Sequence, residues 1–182
     1  MEKNVSGPVE VAPVIPLVSV ISSDLELIRD AAKLLEACFG EVDLVSDSFD
    51  FDLSDYYEPE MGPHLQRVWY SFRILRDPSM LPKWKHDCFR MENDMLDSGG
   101  GRQVNIDPGY MDFGKLVLAS FKEAPDKIYM GRGVWAHTCL RYGHGAFSAP
   151  DHSFPDFMDG RFDEFLHRVR RNYRLLLRSA GE

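Results

Sequence analysis

The spacing of apolar residues changes once within the first forty positions, and this change predicts a strand followed by a helix. Residues 13–22 (PVIPLVSVIS) are rich in Val and Ile, as a buried strand is. Across residues 25–39 apolar side chains recur every three to four positions, which predicts an amphipathic helix. Ser23 or Asp24 can cap this helix, and Gly40 supplies its C-terminal stop.

The rest of the chain alternates between strand-like or helical segments and segments interrupted by Pro and Gly. Residues 67–75 (RVWYSFRIL) give the strongest strand prediction, because β-branched and aromatic residues dominate them. Residues 82–96 predict a second helix and residues 161–177 a final one. Further strands are predicted at residues 41–53, 102–106, 115–122, 127–142 and 146–147, with loops or turns at 56–64, 97–102 and 150–160.

The order of these elements predicts an α+β fold. Strand, helix, strand, strand, helix and strand follow one another along residues 13–106, an order typical of a ferredoxin-like βαββαβ core. The later segments predict an antiparallel sheet extended by C-terminal hairpins, with a terminal helix. We therefore expect residues 13–182 to form a single α+β domain after a flexible tail at residues 1–12.

The charge balance argues against one class of partner. Among 182 residues, 29 are acidic and 21 basic, which gives a net charge of −8. Affinity for a phosphate backbone comes mainly from Lys and Arg, so general nucleic-acid binding is not expected. Positive charge is concentrated in residues 161–178, where a helix with a solvated cationic face is the favoured interpretation. A surface for RNA or an acidic partner is the alternative.

The cysteines and the N-terminus indicate the compartment. Cys38, Cys88 and Cys139 are too far apart to form a CxxC pair, and residues 1–11 do not have the pattern of a signal peptide. The longest apolar run contains Pro13 and Pro16 and is too short to span a bilayer. We therefore expect a soluble cytoplasmic protein that does not bind membranes.

The short motifs of well-characterised enzyme classes are missing. The sequence contains no GxxxxGK[ST], GxGxxG, HExxH or GxSxG pattern. Candidate chemistry must therefore be sought in looser groups of polar residues.

The first such group is the acidic loop around Glu58 and Glu60. Two carboxylates in a loop made rigid by Pro59 are candidates to bind a divalent metal such as Mg²⁺, or to act as acid and base. A solvated acidic loop whose tyrosines pack into the core is the simpler explanation.

The second group is residues 102–110 (RQVNIDPGY). If a strand begins here, Asn105 and Asp107 lie on one face, because side chains alternate along a strand. The Asp-Pro-Gly-Tyr sequence predicts a turn that places Tyr110 beside them. The group is either the rim of a ligand site or a turn in which Asn105 and Asp107 bind backbone N–H groups.

The third group comprises Lys122 and His137. Lys122 ends a predicted central strand, and His137 lies in the next predicted strand segment, residues 127–142. His137 is a candidate base or ligand, although a hydrogen-bonded, half-buried histidine is the more frequent case. His144, His152 and Asp156 form a looser group with no familiar metal-ligand spacing.

Several of these segments resemble a family of small bacterial proteins, domain-of-unknown-function family 4416. The resemblance spans roughly residues 14–173, and its most specific pieces are YYEPEMG and VNIDPGY. It implies that the family's polar signature positions form a site. The sequence departs from the family pattern where Asp126-Lys127 replace a His-Arg pair and His137 replaces a Glu. The implied positions are Glu58, Glu60, Arg67, Lys85, Glu92, Arg102, Asn105, Asp107, Tyr110 and Lys122.

Two functional hypotheses remain open. In the first, one cavity binds or processes a small anionic (phosphorylated) molecule with a divalent metal. Asp107, Lys122 and His137 would be catalytic, and Glu58 and Glu60 would hold the metal. The ligand would be bound by Arg67, Lys85, Arg102, Asn105 and Tyr110. In the second, the chain is a non-catalytic binding or assembly module that presents its sheet, or the aromatic residues Trp69, Tyr70 and Trp135, to a protein partner.

Overall fold

The computed structural model describes residue 7 and residues 10–180. The predicted tail falls largely on residues 1–6, 8 and 9, which lie outside the described residues. The helices are α1 (Leu25–Phe39), α2 (Glu58–Met61), α3 (Leu81–Asp94) and α4 (Asp163–Ala180). The strands are β1 (Ile15–Ser22), β2 (Val42–Val45), β3 (Phe49–Asp50), β4 (Gln66–Phe72), β5 (Asn105–Met111), β6 (Lys115–Ser120), β7 (Ile128–Gly131), β8 (Val134–Gly143) and β9 (Ala146–Ser148).

Within the described residues, nine strands form one antiparallel sheet. Seven of them follow the spatial order β2-β4-β1-β5-β6-β8-β7, while β3 pairs with β4 and β9 with β8. The α+β class and the extended antiparallel sheet are therefore confirmed. No helix in residues 10–180 is long and apolar enough to span a membrane.

The helices cover both faces of the sheet. Helices α1 and α3 pack together on one face, where Leu35 and Trp84 belong to a single buried cluster. Helix α4 packs on the other face through Leu166, Val169 and Tyr173. Because both faces are covered, every residue of the central strand β1 is buried, as its continuous apolar sequence predicts.

Local signals placed α1 correctly. The side chain of Asp24 accepts a hydrogen bond from the Glu26 N–H at 2.8 Å, and this bond satisfies one of the free donors of the first turn. Gly40 ends the helix with a φ of 93°, in the region that favours glycine.

Strands β5 and β6 separate partway along their length. They pair only at Gly109–Leu118, Tyr110–Val117 and Met111–Leu116, whereas β5 pairs with β1 over its whole length. The separation begins at Pro108, which has no N–H to donate to a sheet. We call the gap between residues 105–108 of β5 and residues 118–120 of β6 the split.

Gly109 allows the last close contact before the split. A Cβ atom at this position would lie 2.1 Å from the carbonyl oxygen of Val117. A residue with a side chain therefore cannot stand here without moving β6, and glycine is required for the two backbones to approach so closely.

Four local predictions were wrong. Residues 107–110 do not form a turn, because β5 runs through them and places Tyr110 on the face opposite Asn105 and Asp107. Residues 58–61 form the single-turn helix α2 within the predicted loop. The predicted strand at residues 41–53 is two strands, β2 and β3. Trp69 and Tyr70 are buried in the core and cannot form the proposed protein interface.

Candidate functional site

A cavity of about 690 Å³ opens at the split. Its walls include α3, which packs on one face of the sheet, and residues 154–156, which precede Phe157 in the core of the other face. The cavity therefore passes through the sheet rather than lying on one side of it. Its size is typical of sites for small molecules.

Two side chains of α3 bind the part of β5 that β6 does not reach. Lys85 Nζ donates to the carbonyl oxygen of Ile106 at 3.2 Å, and the Ile106 N–H donates to Glu92 Oε1 at 2.6 Å. Both side chains are buried. A buried backbone group without a partner is costly, so these two residues replace the sheet hydrogen bonds that are lost at the split.

Lys85 also forms an ion pair with Asp107, at 2.9 Å between Nζ and Oδ1. Burial disfavours ionisation of Asp107. The charge of Lys85 and hydrogen bonds from Lys85 and Asn105 outweigh burial, however, and hold the pKa of Asp107 below its ordinary value. Burial raises the pKa of Glu92 more than the charge of Lys85 lowers it.

A chain of polar contacts continues from Asp107 toward the acidic loop. Asn105 Nδ2 donates to Asp107 Oδ2 at 2.6 Å, and Arg102 Nη1 donates to Asn105 Oδ1 at 3.1 Å. Arg102 also pairs with Glu60. Each member of this chain is held by the next, so these side chains form a fixed wall of the cavity.

Arg67 is the most unusual group of the cavity. Its side chain is 5% exposed, and its guanidinium lies among the rings of Phe51, Trp69, Phe157 and Phe162 at 5.1–5.8 Å from their centres. Nη1 of Arg67 lies 3.3 Å from Oδ2 of Asp156, but within residues 10–180 Nε and Nη1 of Arg67 and Oδ1 of Asp156 form no hydrogen bond. Burial raises the pKa of Asp156 despite this neighbouring charge. Buried donors of this kind require an explanation beyond packing.

Two lysines enter the cavity without a carboxylate partner. Lys122 Nζ stands 3.7 Å above the ring of Tyr56, and Lys127 Nζ donates to Ser120 Oγ at 2.9 Å. Within residues 10–180, neither lysine lies at ion-pair distance from an acidic side chain. Burial lowers the pKa of both. A partly desolvated ammonium without a counterion is suited to bind an anion.

His137 completes the wall on the β8 side. The side chain is buried, and Nδ1 forms no hydrogen bond with any residue that the structure describes. Burial, followed by the charges of Lys127 and His152, lowers the pKa of His137, so the imidazole is neutral at pH 7.

Comparison with known proteins places these residues in a family. The family model described as Domain of unknown function (DUF4416) matches residues 12–173. The chain belongs to this family. The matched region contains every residue of the cavity wall, and the match confirms the resemblance noted from the YYEPEMG and VNIDPGY segments. Comparison with curated proteins and with solved structures gave no match.

The cavity of this DUF4416 chain gathers most of the predicted site residues and leaves out two. Glu58 is exposed outside the cavity. Tyr110 lies on the sheet face opposite Asn105 and Asp107, and is not part of the cavity wall. Residues two apart on a helix do not face each other, so Glu58 and Glu60 do not form a paired metal site. Within the described chain, no three His, Cys, Asp or Glu side chains are grouped to hold a metal ion. The predicted residues that line the cavity are Glu60, Arg67, Lys85, Arg102, Asn105, Asp107, Lys122 and His137.

Sequence reasoning did not assign Lys127 or Asp156 to this site. Both lie in connections, Lys127 just before β7 and Asp156 in the segment before α4. Because Lys127 follows Pro125-Asp126, the sequence predicts only an ordinary turn residue at this position. The FPDF sequence around Asp156 was the available signal, because an acid between two aromatic residues is unusual in a solvated loop.

Proposed function

We propose that the cavity binds a small organic anion, a carboxylate or phosphate ester with an apolar, planar body. The main support is Arg67, a buried cation in the cavity wall whose Nε and Nη1 make no hydrogen bond within the described residues, although Nη1 lies 3.3 Å from Asp156 Oδ2. A ligand oxygen would provide the missing acceptor, and a guanidinium suits planar anions better than an ammonium does.

The charges around the cavity support an anionic ligand. Three cations have acidic neighbours, in the pairs Lys85–Asp107, Arg102–Glu60 and Arg67–Asp156. Lys122 and Lys127 bring the cations of the wall to five, against the four carboxylates of Glu60, Glu92, Asp107 and Asp156, and burial raises the pKa values of Glu92 and Asp156. A cavity with surplus positive charge in a chain of net charge −8 attracts anions selectively.

The apolar lining supports an apolar body for the ligand. Rings of Phe51, Tyr57, Phe89, Phe121 and Phe154 stand between the charged groups. Aromatic walls favour stacking with a planar molecule. The anion is neutralised by Arg and Lys side chains in this proposal, because Glu58 and Glu60 do not form a paired site for a bridging metal.

We also propose a ferredoxin-like core and a cytoplasmic location for this protein. Strands β2, β4, β1 and β5 lie in an antiparallel order with α1 and α3 on one face, which supports a ferredoxin-like core. The free cysteines Cys38, Cys88 and Cys139 support a reducing, cytoplasmic environment.

Two anions and one neutral counterpart test the proposal. Benzoate and phenyl phosphate carry an anionic group on a planar apolar body, and benzamide is the neutral counterpart of benzoate. We expect both anions to raise the thermal unfolding midpoint, because ligands that bind only the native state stabilise it. Benzamide should have little effect. Equal shifts with benzoate and benzamide, or no shift with either anion, contradict the proposal.

Variants of the two cavity lysines test where the anion binds. Lys122→Met and Lys127→Met should each weaken benzoate binding about tenfold in calorimetry, equivalent to about 1.4 kcal/mol. Lys33→Met is the matched control, since Lys33 pairs with Asp30 on α1, away from the cavity. It should leave the affinity unchanged.

A further inference from the structure

A second histidine and an aspartate connect His137 with the surface. The ring of His152 lies 5.4 Å from that of His137, centre to centre, with 33° between the planes. His152 Nδ1 lies 3.7 Å from Asp126 Oδ1. His137 is buried, His152 partly buried and Asp126 exposed. The three side chains thus lead from the cavity wall to solvent.

The unsatisfied nitrogens of these histidines need a role. His137 Nδ1 and His152 Nε2 are both buried, and in the described part of the chain neither has a hydrogen-bond partner. A buried imidazole that serves only as packing normally satisfies its polar atoms. A neutral imidazole offers one nitrogen lone pair, which can accept a proton.

We propose that His137 is a general base for the ligand in the cavity, and that His152 and Asp126 exchange its proton with solvent. We call these three residues the proton path. This inference rests on the proposed anion site. It narrows the ligand to one that carries an ionisable O–H or acidic C–H group as well as its anionic group.

The proton transfer is balanced within the cavity. The O–H or C–H bond of the ligand breaks, its electron pair remains on the ligand, and a new N–H bond forms on His137. The ligand gains one negative charge, which Arg67, Lys122 and Lys127 can offset. The proton then passes by way of His152 and Asp126 to water.

The charged groups around His137 fit this role. Lys127 and Asp126 approach from the connection before β7, and His152 approaches from the segment after β9. Arg67 and Asp156 share the cavity wall with His137, and Cys139 contacts its carbonyl on the same strand. Burial and then the charge of Lys127 lower the pKa of His137, and so favour its unprotonated form before the ligand arrives, which is the state a base requires.

Ring-nitrogen NMR of the free protein tests the path without a ligand. His152→Asn should raise the pKa of His137, because it removes a neighbouring positive charge. His144→Asn is the control, since His144 is an exposed residue outside the cavity with a φ of 52°, which Asn tolerates.

Para-nitrophenol tests the proton transfer itself, because its phenolate is yellow. In slightly acidic buffer the wild-type protein should bind the dye as phenolate, because His137 takes up its proton and the proton path passes that proton to the buffer. His137→Asn should bind the dye mainly as the colourless phenol, whereas His144→Asn should behave as the wild type.

The outcomes separate this inference from the proposed function. Phenolate colour that is equally strong in His137→Asn overturns the role of His137 and leaves anion binding intact. If neither the dye nor benzoate binds, the anion site fails and the role of His137 as a base for its ligand fails with it. A His137 titration that His152→Asn leaves unchanged overturns the proton path.

Discussion

Glu92 Oε1 accepts the Ile106 N–H at 2.6 Å, in the stretch of β5 that β6 leaves unpaired. Lys85 binds the carbonyl oxygen of the same residue. Two side chains of α3 thus complete the hydrogen bonding of a strand, and the sheet can separate without leaving these buried backbone groups unsatisfied.

The stability lost on replacing Glu92 should therefore depend on whether the new side chain can still accept the Ile106 N–H. Glu92→Leu should destabilise the protein by about 1–3 kcal/mol, the usual cost of an unpaired buried donor. Glu92→Gln should cost less, because its amide oxygen can still accept the bond. Urea unfolding measures both, with Asp94→Gln and Asp94→Leu as controls at an exposed position of the same helix. Equal losses for Glu92→Leu and Glu92→Gln would show that the hydrogen bond is unimportant.

The Lys85–Asp107 pair should determine part of the acid sensitivity. The pKa of Asp107 is lower in the folded protein than its ordinary value of 3.8, so the unfolded chain binds a proton first as the pH falls. The stabilisation by Asp107 is complete above this value and is lost as the pH falls through the folded pKa.

Asp107→Asn removes this dependence on pH. The variant should be less stable than the wild type near neutrality, and the difference should shrink below about pH 4. Urea unfolding across this range measures it. A constant difference at every pH would mean that the charge of Asp107 does not stabilise the fold.

Gly109→Ala tests the contact that begins the split. Its Cβ would overlap the Val117 carbonyl oxygen, and forced overpacking costs about 1–3 kcal/mol or more. Gly143→Ala is the matched control, because no atom lies within 4 Å of its added Cβ. Chemical unfolding should show a large loss for the first variant and little change for the second. Similar stabilities for the two would mean that the strands can separate further at no cost.

Asp156→Asn should strengthen anion binding. Asp156 lies beside Arg67 and competes with any ligand oxygen for its charge. Removal of this carboxylate should tighten benzoate binding several-fold, by about 1 kcal/mol, as calorimetry would show. Asp159→Asn is the control, since Asp159 pairs with Arg161 outside the cavity. Weaker binding in Asp156→Asn would assign Asp156 a direct role in holding the ligand.

Local signals account for the elements that the sequence predicted well. The bounds of α1 were predicted correctly, because Asp24 and Gly40 act through adjacent backbone groups. The Asp-Pro-Gly turn was predicted wrongly for the opposite reason. Pairing of Val18 with Pro108 keeps β5 extended, and this long-range contact overrides the turn propensity.

The site was partly predictable for the same physical reasons. Alternation along β5 correctly placed Asn105 and Asp107 together, and its continuation through Pro108 and Gly109 put Tyr110 on the other face. Lys127 and Asp156 were missed, because their place in the cavity depends on how β7 and the segment before α4 return to the sheet. No local pattern encodes that return.

The split also divides the sheet mechanically. Strands β2, β3, β4, β1 and β5 form one half and β6, β7, β8 and β9 the other, joined by three residue pairs. Helix α3 contacts strands on both sides of this short joint. The width of the cavity therefore depends on the angle at which the two half-sheets meet. A ligand that fills the cavity would contact both half-sheets, and would therefore add a further connection across the split beside the three residue pairs.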